Sequence, residues 1–170
     1  MSADKSLWGV IYIETTPTGS ELPLIASACQ RLARLNCQLA LLTSNMDPFI
    51  SWPVNLLAPR GVAADSLAAW LTLWQDTPAM GALFLDASCL SIDDTILAGL
   101  AAAHGQYKLL CQYRDQPFPA YYSRACLGAG LRLWRQGVGE LGLLLKVLKA
   151  PQLPRVASSF LTHLVSEPSA

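Results

Sequence analysis

Three apolar runs of strand length, LWGVIYI (Leu7–Ile13), QLALLT (Gln38–Thr43) and MGALFLD (Met80–Asp86), constrain this chain more than any other feature. None shows the apolar–polar alternation of a strand with one wet face, so each is expected to be covered on both faces. Between the first two runs, Leu24, Ala28, Leu32 and Leu35 recur at helical spacing, and Ile25 and Cys29 widen the stripe. Strand, helix and strand in this order make a βαβ unit, whose crossover joins parallel neighbours.

The same reading continues along the chain. Met46 to Pro59 holds three prolines and one extended piece, Val54–Ala58, which predicts a loop and then a short strand. From Gly61, the positions Leu67, Trp70, Leu71 and Trp74 predict a second helix, ended by the Asp76-Thr77-Pro78 turn. Ser91 and Asp94 stand at capping-box spacing before Ile96, Leu97 and Leu100, on a third helix that ends near His104 and Gly105. Tyr107–Tyr113 and Ala120–Tyr122 read as further strands flanking a Pro117-Phe118-Pro119 corner, which cannot belong to a central ladder. Ser123 is placed to cap a helix carrying Leu127, Leu131 and Trp134, and Leu141, Leu144, Leu145 and Leu148 mark a last one. The expected fold class is α/β, with three layers: a mostly parallel central sheet and helices on both faces. With no internal repeat or linker, one domain is expected over 1–170, its core at about 7–165 between short flexible termini.

Charge excludes some partners. Twelve Lys and Arg balance twelve Asp and Glu, so no global positive field would gather nucleic acid or an anionic membrane surface. From Phe118 onward six basic residues face two Glu, a bias that a solvated helix surface explains. The start, MSADKSLW, does not read as a signal peptide, and the longest apolar runs are too short to span a membrane. Cys29, Cys37, Cys89, Cys111 and Cys126 form no CxxC pair and have no histidine at metal-ligand spacing, which fits small core residues in a reduced, cytoplasmic setting.

In open α/β sheets ligands bind at the carboxyl ends of the strands, near a reversal of strand order, which directs attention to Glu14–Ser20, Ser44–Pro48 and Asp86–Ser91. A phosphate-binding loop needs free backbone N–H groups, glycines and a cation. The segment ETTPTGSE (Glu14–Glu21) offers one glycine, Gly19, with two acids and a proline, and reads as an ordinary strand-to-helix turn. Asp86, at the end of a central strand, suits either a magnesium ligand or a turn residue. Ser44 and Asn45 could bond a nucleobase or ribose edge, or serve as turn residues. His104 and His163 are isolated, and no Ser/His/Asp or Cys/His set assembles from the sequence.

The order of these pieces resembles the molybdenum-cofactor guanylyltransferases, Rossmann-like nucleotidyltransferase-fold enzymes that join GMP from GTP to molybdopterin with magnesium. Gly9, Val10 and Ile11 match that family's opening strand, and Pro23, Leu24, Ile25 and Leu32 its first helix. LLTSN (Leu41–Asn45) is similar to its second strand, GVAADSLAAW (Gly61–Trp70) to its next helix start, and PFPAYYSRACLGAGL (Pro117–Leu131) to a segment where a proline and a Tyr-Arg pair lead into a helix. The likeness implies GTP and magnesium as cofactors, Asp86 as the metal carboxylate, and Gly9, Thr15, Gly19, Asn45 and Gly61 as nucleotide contacts. It also implies a nucleotide or molybdopterin ligand and a protein partner in molybdoenzyme maturation.

The departures fall where the family's chemistry resides. Its GGxSxRMGxDK loop is replaced by ETTPTGSE, Ser88 stands for the proline after the metal aspartate, Asn55 is the nearest match to its second acid, and its late Asn-rich turn reads FLTH at Phe160–His163. Nucleotidyl transfer is chiefly positioning and charge stabilisation of phosphates. The expectation is a catalytically degenerate relative that keeps a binding role. Two alternatives stand beside it: an active transferase using Arg60, Arg114 or Arg124 in place of the lost loop, and an interaction module or homodimer presenting Trp8, Trp52 and Trp134.

Overall fold

The computed structural model describes residues 6–61 and 65–154. The end of the expected core after 154, with FLTH and His163, lies outside them, as do residues 62–64 and 1–5. Strands β1 (Leu7–Ile13), β2 (Gln38–Thr43), β3 (Asn55–Leu57), β4 (Gly81–Asp86), β5 (Leu109–Cys111) and β6 (Ala120–Ser123) form one sheet in the order β3-β2-β1-β4-β6-β5. The first four strands in that order are mutually parallel, and β6 runs antiparallel to both of its neighbours. The mostly parallel α/β sheet is therefore present, with one reversed strand.

Helices α1 (Leu22–Arg34) and α3 (Asp94–Ala101) cover one face; α2 (Ser66–Asp76), α4 (Leu127–Arg135) and α5 (Gly142–Val147) cover the other. Successive β1 residues feed the two cores in turn: Trp8, Val10 and Tyr12 pack with α2, while Leu7, Ile11 and Ile13 pack with α1. A strand dividing its side chains between two dry layers has no polar position to alternate, which is why LWGVIYI is apolar throughout. Trp8 is 4% exposed, so it belongs to this core and not to a protein-facing surface; Trp52 packs edge-on against Phe49, and Trp134 is 39% exposed.

Gly9 lies at the centre of β1, where an added Cβ would stand 2.9 Å from Leu32 Cβ. Its missing side chain lets α1 settle onto the sheet. Two caps differ from expectation. Asp93, not Ser91, caps α3 by accepting from Thr95 N–H, and Ser123 makes no capping bond, leading into a single 3-10 turn before α4. Cys29, Cys111 and Cys126 are buried and none of the five cysteines is paired; burial pushes the Cys89 thiol up to about 12. Among the described residues no helix is long and apolar enough to cross a membrane.

Candidate functional site

Strand order reverses between β1 and β4, because β1 continues to β2 on one side and the chain returns as β4 on the other. At the carboxyl ends of these two strands is a cavity of about 270 Å³, lined by Ile13, Glu14 and Thr15 from β1 and its loop, Glu21 and Ile25 from α1, Ser66 at the start of α2, and Asp86 and Ala87 from β4. Tyr12 and Phe118 complete a wall, their rings 6.1 Å apart and 29° from parallel. Phe118 reaches this edge because β6 is antiparallel, so the segment before it starts where β4 ends.

Glu14, Glu21 and Asp86 give the lining three carboxylates, and no Lys or Arg lines it. The Tyr12 hydroxyl registers this field: its pKa is pushed up to about 12, first by burial and then by the Glu14 and Asp65 carboxylates.

Some of the N–H groups that could bind an anion are already engaged. Glu21 turns its carboxylate back to accept from Thr18 N–H at 2.6 Å and Thr18 Oγ1 at 3.0 Å, and the Thr18 N–H holds its carboxyl below the usual range. The loop's own carboxylate thus occupies an N–H that a phosphate would use, and Pro17 and Pro23 have none to offer. At the start of α2, Ala68 N–H donates to Asp65, Leu67 N–H to the Gly139 carbonyl, and Ala69 N–H to the Asp65 carbonyl. A second helix N-terminus at the cavity is therefore neutralised by an aspartate.

Asp86 Oδ1 accepts from Ser88 N–H at 3.0 Å, from Ser88 Oγ at 2.5 Å and from Cys89 Sγ at 3.4 Å, so it caps the 3-10 turn Ala87–Cys89. Of the six residues the resemblance singled out, Thr15 and Asp86 line the cavity. Gly9 packs under Leu32, Gly19 is exposed at the loop surface, and Gly61 adopts φ 114° beside Ala68 and Trp134. Asn45 ties two loops together, donating to Thr16 Oγ1 at 3.3 Å and accepting from Asp47 N–H at 3.2 Å.

Arg114 is exposed in the turn before Phe118 and does not line the cavity, and the other two substitute cations lie elsewhere. Arg124 follows β6, beside the amino end of β4, and donates to the carbonyls of Trp74 at 2.8 Å, Ala79 at 3.0 Å and Thr77 at 3.3 Å. It closes the carboxyl end of α2, on the edge of the sheet opposite Asp86. Arg60 pairs with Asp76 at the same end of α2.

One constellation invisible in the sequence appears at that amino edge: His104 bonds Ser6 Oγ through Nε2 at 2.8 Å and Tyr121 Oη through Nδ1 at 3.0 Å. The tautomer of His104 sets which of these groups donates; Tyr121, 1% exposed, also accepts from Gly105 N–H, and burial pushes its hydroxyl up to about 12. Gly81 makes room for this arrangement, since a Cβ there would lie 2.4 Å from His104 Nδ1.

No family profile and no curated protein matches the chain in sequence. Solved structures do match in three dimensions. Molybdopterin-guanine dinucleotide biosynthesis protein A from Archaeoglobus fulgidus superposes with a TM-score of 0.64 at 14% identity, covering 92% of this chain and 88% of its own. For 2-C-methyl-D-erythritol 4-phosphate cytidylyltransferase from Thermus thermophilus the TM-score is 0.60 at 13% identity, over 84% and 85%. The manganese complex of a Mycobacterium tuberculosis protein gives 0.62 at 14% identity, over 89% and 88%. The chain has the nucleotidyltransferase fold.

A magnesium-bound triphosphate placed in this lining would meet three carboxylates and no Lys or Arg, with the Thr18, Leu67, Ala68 and Ala69 N–H groups already engaged. Among the described residues no group of three or more His, Cys, Asp or Glu could hold a metal ion.

Proposed function

We propose that this chain is a molybdenum-cofactor-guanylyltransferase-like protein that keeps the ligand cavity of its fold and does not transfer nucleotidyl groups. The observation that carries this reading is the lining: Glu14, Glu21 and Asp86 without one Lys or Arg. Transfer from a nucleoside triphosphate requires cations and N–H donors aimed at the phosphates, and removing a single well-placed donor costs about 2.7–4 kcal/mol of transition-state stabilisation. A loop that instead presents its own carboxylates to that space lacks several at once. Of the three candidates for compensation, Arg124 and Arg60 are engaged at the carboxyl end of α2, and Arg114, exposed in the turn before Phe118, does not line the cavity.

The role that remains is binding, of a small ligand in the cavity or of a protein partner in molybdoenzyme maturation. Pyrophosphate release from GTP, magnesium and molybdopterin tests the loss of transfer. No release above the uncatalysed background is expected; release that disappears in Asp86→Ala would return the chain to the active enzymes.

A further inference from the structure

The cavity is not a bare acidic patch. It combines a partly open cleft at the reversal of strand order, an aromatic wall from Tyr12 and Phe118, and carboxylates on the surrounding loops. Its volume, about 270 Å³, lies just below the range of about 300–1,000 Å³ usual for drug-sized ligands, which is room for one bicyclic ring and little more. A planar ring gains stacking against such a wall, and a positively charged ring gains further from the quadrupoles of the aromatic faces. Carboxylates accept hydrogen bonds and donate none, so Glu14 and Asp86 match ring N–H groups or a delocalised positive charge and oppose phosphate. Ser66 adds a hydroxyl on the side of α2, where it accepts from Leu141 N–H at 2.9 Å.

On these grounds, and resting on the reading of the chain as a binding protein, we propose that the cavity selects a planar nitrogen heterocycle that is cationic or edged with N–H donors and carries no phosphate. The selection reverses the charge preference of a nucleotide triphosphate site: each phosphate added to the same ring weakens binding, and a positive charge placed on the ring strengthens it. Phe118 contributes to every ring ligand through stacking, whereas Glu14 and Asp86 distinguish among ligands by charge.

Three probes of one ring system isolate the effect: guanosine, its cationic analogue 7-methylguanosine, and GTP with and without magnesium, each titrated calorimetrically into the full chain. We expect 7-methylguanosine to bind at least about tenfold more tightly than guanosine, a difference of about 1.4 kcal/mol, and GTP to bind more weakly than guanosine in either condition. In the doubly neutralised variant Glu14→Gln, Asp86→Asn, where Asn keeps the turn cap, both nucleosides should bind more weakly and 7-methylguanosine should lose the more, so that the preference for the cation shrinks. Phe118→Ala should weaken both nucleosides, 7-methylguanosine the more because it also loses its attraction to the ring face. A urea midpoint on each variant shows that it is folded.

GTP binding as tightly as guanosine, equal affinity for the two nucleosides, or no nucleoside binding at millimolar concentration would each overturn the proposal. The pyrophosphate assay is read separately. Turnover would defeat the assignment as a non-transferring protein, whereas absent turnover with the wrong affinity order would defeat only the ligand class.

Discussion

Arg124→Met tests whether this residue is a structural clamp or a reserve cation for a phosphate site. Its guanidinium holds three carbonyls around the end of α2 and the approach to β4, at 2.8, 3.0 and 3.3 Å, while its backbone N–H donates to the Met80 carbonyl. The first two contacts have good lengths and the third is long, so two charge-assisted bonds carry most of the effect. Hydrogen bonds to charged groups contribute about 1.5–3 kcal/mol each, and the residue's partial exposure favours the lower end, giving a loss of about 3 kcal/mol. For a domain of this size, that corresponds to a fall in Tm of about 6–12 °C. Met preserves the length of the apolar stem, so packing is largely retained and the loss reports the clamp.

Urea unfolding followed by tryptophan fluorescence measures the change, since Trp74 itself supplies one of the carbonyls. The m-value should be unchanged and the midpoint should fall. Arg124→Lys should recover only part of the loss, because one ammonium cannot span three carbonyls as a planar fork does. A loss below about 1 kcal/mol, or unchanged stability with a large change in nucleotide affinity, would refute the clamp.

Other outcomes follow from the same geometry. Gly9→Ala drives a Cβ to within 2.9 Å of Leu32 Cβ, 3.0 Å of its Cδ1 and 3.2 Å of its Cδ2, and should destabilise by about 1–3 kcal/mol; Leu32→Ala removes the two Cδ contacts and keeps Cβ, so chemical denaturation should show the double variant recovering part of the two losses summed. The Glu21 carboxyl lies below its ordinary value of 4.5 in the folded chain because Thr18 N–H donates to it. Its contribution to stability is present above that ordinary value and is lost as pH falls through the lowered one; Glu21→Gln should flatten the thermal stability profile as pH falls below the ordinary value. The Cys89 thiol, raised to about 12 by burial, should react with a thiol reagent at pH 8 far more slowly than free cysteine until urea unfolds the chain.

How far the fold can be read in advance varies with the range of the forces involved. β1 and β2 begin and end where their apolar runs do, because double-sided burial leaves its mark on every residue of the strand. Tyr107–Tyr113 suggests a longer strand than the observed Leu109–Cys111, since β5 is an edge paired on one side to a four-residue β6. Trp8 is open to a surface reading because an indole suits an interface as well as a core. The α2 packing that buries it is known only from the fold. Asp93 is the less obvious cap of α3 because Ser91 and Asp94 present the more familiar spacing.

At the candidate site, the sequence by itself determined composition: two acids and a proline in the first loop, no cation there, and an aspartate at the end of a buried strand. It also determined the α/β architecture, since local periodicity is enough to divide strands from helices. Tertiary structure decided where charges meet. Only the folded chain sets Phe118 against Tyr12, turns Asp86 onto its own turn, carries Arg124 to the opposite edge of the sheet and joins Ser6 to His104. Contacts between residues far apart in sequence follow from strand order and the reversal of β6, and these arise from packing both layers at once, which no window of sequence encodes.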